Sequence, residues 1–190
     1  MVTTTTQREA ARRARSPVVL GCELVLLALV VWRVLGTALA LRARALTPFQ
    51  FDYGEGNVLA TLARIAQGLT PYPDPRAFPN AIDPYGPVGY YLLAIPVKLF
   101  GVSLLAPRML VIASVVAICV LLALTIARAT RSVAAAVIFG GYYITLPLVA
   151  GMGALLRVDL VGLALSIAGL HLFTRGMVEE DAEDAENDTR

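Results

Sequence analysis

Residues 132–156 run for twenty-five positions without a single charged side chain. As an α-helix that run is about 37 Å long, enough to cross a hydrocarbon core of roughly 30 Å. The rest of the chain agrees with a lipid solvent. Of its 190 residues 57% are apolar and only 16% charged, and the mean hydropathy is positive, a balance that soluble domains of this size rarely show.

Three further segments have the composition of spans. Residues 17–41 are apolar except for Glu23 and Arg33, and 103–127 are apolar after Pro107 and Arg108. Residues 156–175 begin near Arg157 and Asp159 and close at Arg175. The expected fold class is therefore an all-α integral membrane protein with about four transmembrane helices, at 17–41, 103–127, 132–155 and 156–175. Arg33 within the first costs about 2.5–3.5 kcal/mol on insertion scales, which flanking Leu, Val and Ala residues offset. Ala38-Leu39-Ala40 leaves a cleavable signal peptide as a competing reading of that segment.

The segment 42–102 is too polar and too interrupted to span. Within it, 57–67 places Val58, Leu59, Leu62, Ile65 and Ala66 on one helical face and Asn57, Thr61, Arg64 and Gln67 on the other. Gly68 and Pro71 stop it. Residues 84–97 are uncharged but give a helix of only about 21 Å, bordered by Tyr85, Tyr90 and Tyr91 and interrupted by Pro96. Both are expected as juxtamembrane surface helices in a long first outer loop.

Charge suggests the orientation. Residues 1–16, with Arg8, Arg12, Arg13 and Arg15, are expected as a disordered cytoplasmic arm, which puts the N-terminus inside an inner, plasma-type membrane. The bias is slight, since Arg42, Arg44, Arg64, Arg76, Lys98, Arg108 and Arg157 would lie outside, as many as lie inside before the tail. Residues 177–190 hold seven of the fourteen acids and are expected as a disordered acidic tail. Cys22 and Cys119 fall in apolar segments as small hydrophobes, and His171 reads as an interfacial side chain. No nucleic-acid motif is present, and no compact cluster of ligand side chains argues for a divalent metal or any other cofactor.

Four crossings gather Asp52, Glu55, Asp74, Asp83 and Asp159 on the outer face. Asp52 and Glu55 stand in Phe-Asp-Tyr-Gly-Glu-Gly just ahead of the first surface helix, where carboxylates commonly cap the helix or offset its dipole. Spacing alone favours that structural role over catalysis.

The motifs FDYGEG, TPYPDP, DPYGPVGYYLLAIPVKLFG and LLRVDLVGLAL follow one another between residues 51 and 170. In that order they resemble the N-terminal region of GT-C membrane glycosyltransferases, the enzymes related to protein O-mannosyltransferases and lipid A aminoarabinose transferases. The resemblance implies transfer of a sugar from a polyprenyl-phosphate donor to an acceptor at the outer membrane face, with inversion. A loop acid would act as general base and basic side chains would hold the leaving phosphate. Glu55 takes the place of the family's glutamate, but Gly54 stands where an aspartate is usual, so the base is left between Glu55 and Asp52. Arg157 and Asp159 match an Arg-x-Asp pair of the second outer loop, Asp159 in support and Arg157 on phosphate, and Tyr85 lies where a phosphate contact is expected.

Enzymes of this type continue through many more spans, so the chain is expected to be an N-terminal portion, completed by further sequence or by a second chain. The acceptor is open, and membrane lipids are the other expected partners. A non-catalytic scaffold or assembly subunit derived from such an enzyme is the principal alternative. A transporter fragment fits less well, since the spans lack paired acids.

Overall fold

The computed structural model describes residues 17–74, 76 and 84–187, with side chains described as far as Gly176. The expected cytoplasmic arm and Asp83 lie outside the described residues. Seven helices and no strand occur among them: α1 (Pro17–Leu46), α2 (Tyr53–Ala66), α3 (Pro87–Phe100), α4 (Leu105–Thr130), α5 (Val133–Thr145), α6 (Pro147–Met152) and α7 (Val158–Asn187).

Three stretches are long and apolar enough to cross a membrane: Pro17–Leu46, Leu105–Thr130 and Val158–Gly176. They make this an all-helical membrane protein. In α4, Arg108 and Arg128 bracket nineteen uncharged residues and stand about 30 Å apart along the axis, the thickness of a hydrocarbon core. The helix stops at Arg131, whose left-handed φ of 53° turns its N–H onto the Ala127 carbonyl at 2.8 Å.

The longest uncharged run does not form one helix. α5 ends at Thr145 after thirteen residues, and α6 restarts at Pro147 for six. Proline has no N–H to give, its ring excludes the carbonyl four residues back, and it drives the preceding residue out of the helical region. Leu146 accordingly has φ −56° and ψ 134°. What α5 lacks in length it makes up in contact. A Cβ on Gly140 would lie 2.6 Å from the Ala123 Cβ and 2.9 Å from the Cys119 carbonyl oxygen of α4, and one on Gly141 would lie 2.9 Å from Val30 of α1. Bare backbone lets α5 sit in the groove between those two helices, the packing that works where lipid offers no hydrophobic drive.

α5 returns the chain to the end of the bundle where α4 began. There Ile144 packs with Leu41 of α1, Val115 of α4, Val149 of α6 and Ala154. α7 then starts two residues after Leu156 and runs back alongside α4. At the far end, His171 is buried. Its Nδ1 lies 2.9 Å from the Thr125 hydroxyl and its Nε2 lies 3.1 Å from the Arg128 guanidinium. Thr125 already donates to the Leu121 carbonyl, so the imidazole is assigned as the Nδ1–H tautomer, donating to Thr125 and accepting from Arg128.

α7 also corrects an expectation. Residues 177–187, expected as disordered tail, continue the helix to Asn187. Ala and Glu are good helix formers, and a helix already nucleated in the span extends at little cost.

The two short helices pack on each other and on the end of the bundle that carries Arg108. Asp52 caps α2 by accepting the Gly54 N–H at 3.3 Å. The other end closes as a Schellman turn, with Leu69 N–H to Arg64 O at 3.0 Å, Gly68 N–H to Ile65 O at 2.9 Å, and Gly68 at φ 82°. α3 starts on Pro87 and stops at Gly101, φ 88°. Val58 and Leu62 of α2, Tyr90, Leu93, Ala94 and Val97 of α3, Val111 of α4, and Leu156 and Val161 form one core. Thr61, expected on the polar face of α2, is buried too. Gly89 of α3 is covered by the Val158 side chain at the start of α7, which fixes α3 against that helix end.

Candidate site at the junction of the two loops

Loop 47–52 and loop 153–157 meet at this end of the bundle, held by a buried ion pair. Arg108, in the first turn of α4, is wholly buried, and Glu55, in the first turn of α2, is 1% exposed. The guanidinium spends all five N–H groups. Nε–H and one Nη2–H form a fork onto the Glu55 oxygens at 2.9 and 2.8 Å, the other Nη2–H reaches Phe49 O at 2.9 Å, and Nη1 donates to Arg44 O at 3.1 Å and Thr47 O at 2.6 Å. The carboxylate is equally spent. Oε1 also accepts the Leu156 N–H and Oε2 the Phe51 N–H, each at 2.8 Å. Phe51 covers the pair, its ring centroid 5.4 Å from the guanidinium carbon.

Burial acts most strongly on Glu55 and would raise its pKa. The Arg108 hydrogen bond, the Leu156 and Phe51 amides and the Arg108 charge together outweigh it, so the carboxyl lies below its ordinary 4.5. A depressed acid contributes stability that is complete above its unfolded value and is lost as pH falls through the folded one. The thermal midpoint of the wild-type protein is accordingly expected to drop as pH falls below about 4.5. Glu55→Gln should start lower and show a shallower drop over that window, read by thermal unfolding in detergent at each pH.

Around this clasp lie the other residues singled out in the sequence. Arg157 donates to Asp159 Oδ2 from Nε at 3.0 Å and Nη2 at 2.8 Å, in an ion pair whose side chains are 30% and 48% exposed. A surface pair of that kind contributes little to stability. Its hydrogen bond to Asp159 holds the Arg157 guanidinium above its ordinary value; partial burial opposes this, and the charge of Asp159 and the fields of Tyr85 and Asp52 add to it. Tyr85 packs on the same core as Leu156 and Val158, and Asp52 stands three residues before Glu55, which holds the Leu156 N–H. Asp52 is half-buried, with one oxygen on the cap of α2 and no bond from the other among the described residues. Tyr85 accepts the Tyr72 hydroxyl on its carbonyl at 2.8 Å and packs edge-on against Tyr90 at 6.0 Å. Asp74, also expected on this face, is exposed and accepts the Arg76 N–H in its own turn at 2.9 Å.

Asp52, Glu55, Tyr85, Arg157 and Asp159 are thus gathered from segments up to 107 positions apart. Glu55 is buried and the other four are partly exposed. Arg108 and Arg44 escaped the sequence reading. Arg44 donates from Nη1 to the carbonyls of Ala150 at 2.7 Å and Gly151 at 2.6 Å, tying α1 to the end of α6. The available signal for Arg108 was an arginine beside proline in the first turn of an otherwise uncharged span, which reads equally as a flank.

Among the described residues no three His, Cys, Asp or Glu side chains lie close enough to share a metal ion. The fold and this junction define a helical membrane protein with partly exposed charges around a buried Arg–Glu clasp. Comparison with protein-family models, curated proteins and solved structures gives no match to the chain.

Proposed function

We propose that the chain is the N-terminal portion of an inverting glycosyltransferase of the GT-C kind, which moves a sugar from a polyprenyl-phosphate carrier to an acceptor on the outer face of a plasma-type membrane. In this reading α1, α4, α5–α6 and α7 make four crossings with the N-terminus cytoplasmic, and α2 and α3 lie on the outer surface. The observation that supports it is the bond from the Leu156 N–H to Glu55 Oε1. It ties the two loops so that carboxylates and a cation from both stand at one junction.

The clasp distributes the roles. With four donors on its two oxygens, Glu55 has no lone pair left for an acceptor hydroxyl and serves as a positioning residue. Asp52, with an open oxygen, is the base that takes the acceptor proton. The acceptor oxygen then attacks the anomeric carbon, and the sugar–phosphate bond breaks with its electron pair leaving on the carrier phosphate. Arg157 stabilises the charge that develops there, Asp159 holds Arg157 in place, and Tyr85 borders the phosphate.

The test is transfer of a radiolabelled sugar from polyprenyl phosphate in membranes of a strain deleted for the gene and complemented with each variant. Asp52→Asn should lose about 10²-fold in rate at unchanged protein level. Asp159→Asn should weaken donor use, and Glu55→Gln should act mainly by lowering the amount of folded protein. Wild-type transfer by both aspartate variants would overturn the reading. The saturated clasp also suits a scaffold that keeps the junction only as architecture; donor binding without turnover in the wild-type protein would favour it.

A further inference from the structure

A second polar feature lies on the outside of the bundle, in the part of α1 that faces lipid. A groove of about 450 Å³ runs between α1 and α6. Gly36 and Ala40 of α1 and Ala150 and Gly151 of α6 line it, with Arg33 and Arg44 in its wall. Positions 33, 36, 40 and 44 share one helical face, so two arginines whose Cα atoms lie about 16 Å apart along the axis flank a stretch kept open by small side chains, a gap that two extended arginine side chains can close onto one anion.

These cations are short of partners. Arg33 is exposed and makes no hydrogen bond among the described residues. Arg44 uses only Nη1, on the Ala150 and Gly151 carbonyls, which leaves Nε and Nη2 open. Neither arginine pairs with a described carboxylate: Glu55 is saturated by Arg108, Phe51 and Leu156, Asp159 is paired with Arg157, and the Asp52 side chain accepts only the cap N–H of α2 among the described residues. Glu23, the acid of α1 itself, is ten residues from Arg33, about 15 Å along the axis and beyond ion-pair reach. An arginine within an apolar span costs several kcal/mol unless an anion or water meets it.

We propose that this groove binds the phosphate of an anionic membrane lipid, its oxygens taking the free N–H groups of Arg33 and Arg44 and its chains lying along the exposed Trp32, which lines the same groove. A guanidinium fork suits phosphate oxygens, and a groove open sideways to lipid admits a tethered headgroup without desolvating it twice. The phosphate could come from a glycerophospholipid or a polyprenyl phosphate, which carry the same group. The inference is independent of the glycosyltransferase reading, since it uses none of the residues given roles there.

Two substitutions separate charge from shape without disturbing the fold, because Arg33 is exposed and a Cβ on Gly36 would meet nothing within 4 Å. The full chain, purified in detergent, is expected to retain phosphatidylglycerol in native mass spectra and to exchange it for polyprenyl monophosphate but not for phosphatidylcholine. Arg33→Gln removes the charge and Gly36→Leu fills the groove, and each should weaken retention about tenfold or more. Lys98→Gln, an exposed cation on α3, should leave retention unchanged. Equal retention of phosphatidylcholine, or wild-type retention by both variants, would overturn the proposal. So would displacement of the lipid by millimolar inorganic phosphate, which would identify a soluble anion as the occupant. The stronger of the two anionic lipids in competition names the source.

Discussion

Arg108→Leu is expected to lower the thermal midpoint of the protein in detergent by on the order of 10 °C, and adding Glu55→Leu should not restore it. Removing one partner of a buried ion pair strands the other at a cost of about 3–5 kcal/mol. Replacing both partners by apolar residues is often neutral, which would ordinarily make the double variant the rescue. Here it is not. Arg108 also satisfies the carbonyls of Arg44, Thr47 and Phe49, and Glu55 satisfies the amides of Phe51 and Leu156. The double variant takes these partners from the Thr47 and Phe49 carbonyls and the Phe51 and Leu156 amides, while the Arg44 carbonyl keeps the Thr47 N–H; the Leu156 amide is the fully buried one, and stranding a buried donor costs about 1–3 kcal/mol. A double variant as stable as the wild type would show that the loops carry themselves and that the clasp is incidental. Limited proteolysis should find the new weakness in 47–56 and 153–157 before the spans are touched.

The second large effect is expected at Gly140. A side chain there meets the Cα and Cβ of Ala123 and the Cys119 carbonyl, atoms of the α4 backbone or rigidly attached to it. Overpacking usually costs about 1–3 kcal/mol, because flexible neighbours give way. None of these can, so Gly140→Leu must push α5 from α4 and lose the close packing between them. The expected result is loss of monodisperse protein on detergent extraction, with Gly162→Leu as the control, since nothing lies within 4 Å of a Cβ at that glycine. Equal behaviour of the two variants would mean that α5 is not held by close approach.

Much of this fold was legible in apolar runs. The spans expected at 17–41 and 103–127 appear as α1, which runs five residues further, and α4, which is shifted by two to three residues, and a third runs from Val158. Length alone separated them from 84–97, which forms the fourteen-residue α3. The run at 132–156 misled for a local reason: Pro147 carries no charge, so it is invisible to hydropathy, yet it removes a hydrogen bond and divides the helix. Composition also misjudged 177–187, where acidity suggested disorder but helix formers extend α7.

The site was legible as residue types but not as roles. Asp52, Glu55, Arg157 and Asp159 stood out in short motifs, and spacing could say of the first two only that they cap or react.

By itself the sequence determined the solvent of this protein, because uncharged runs of helix length are stable only where lipid or protein surrounds them, whatever the rest of the chain does. Tertiary structure alone decided which charges are spent and which are open. Arg108 and Arg33 look alike in sequence, each an arginine in an apolar span. One finds five acceptors supplied by three chain segments and the other finds none among the described residues, and a charge takes its meaning from the partners that folding brings within 3 Å or so.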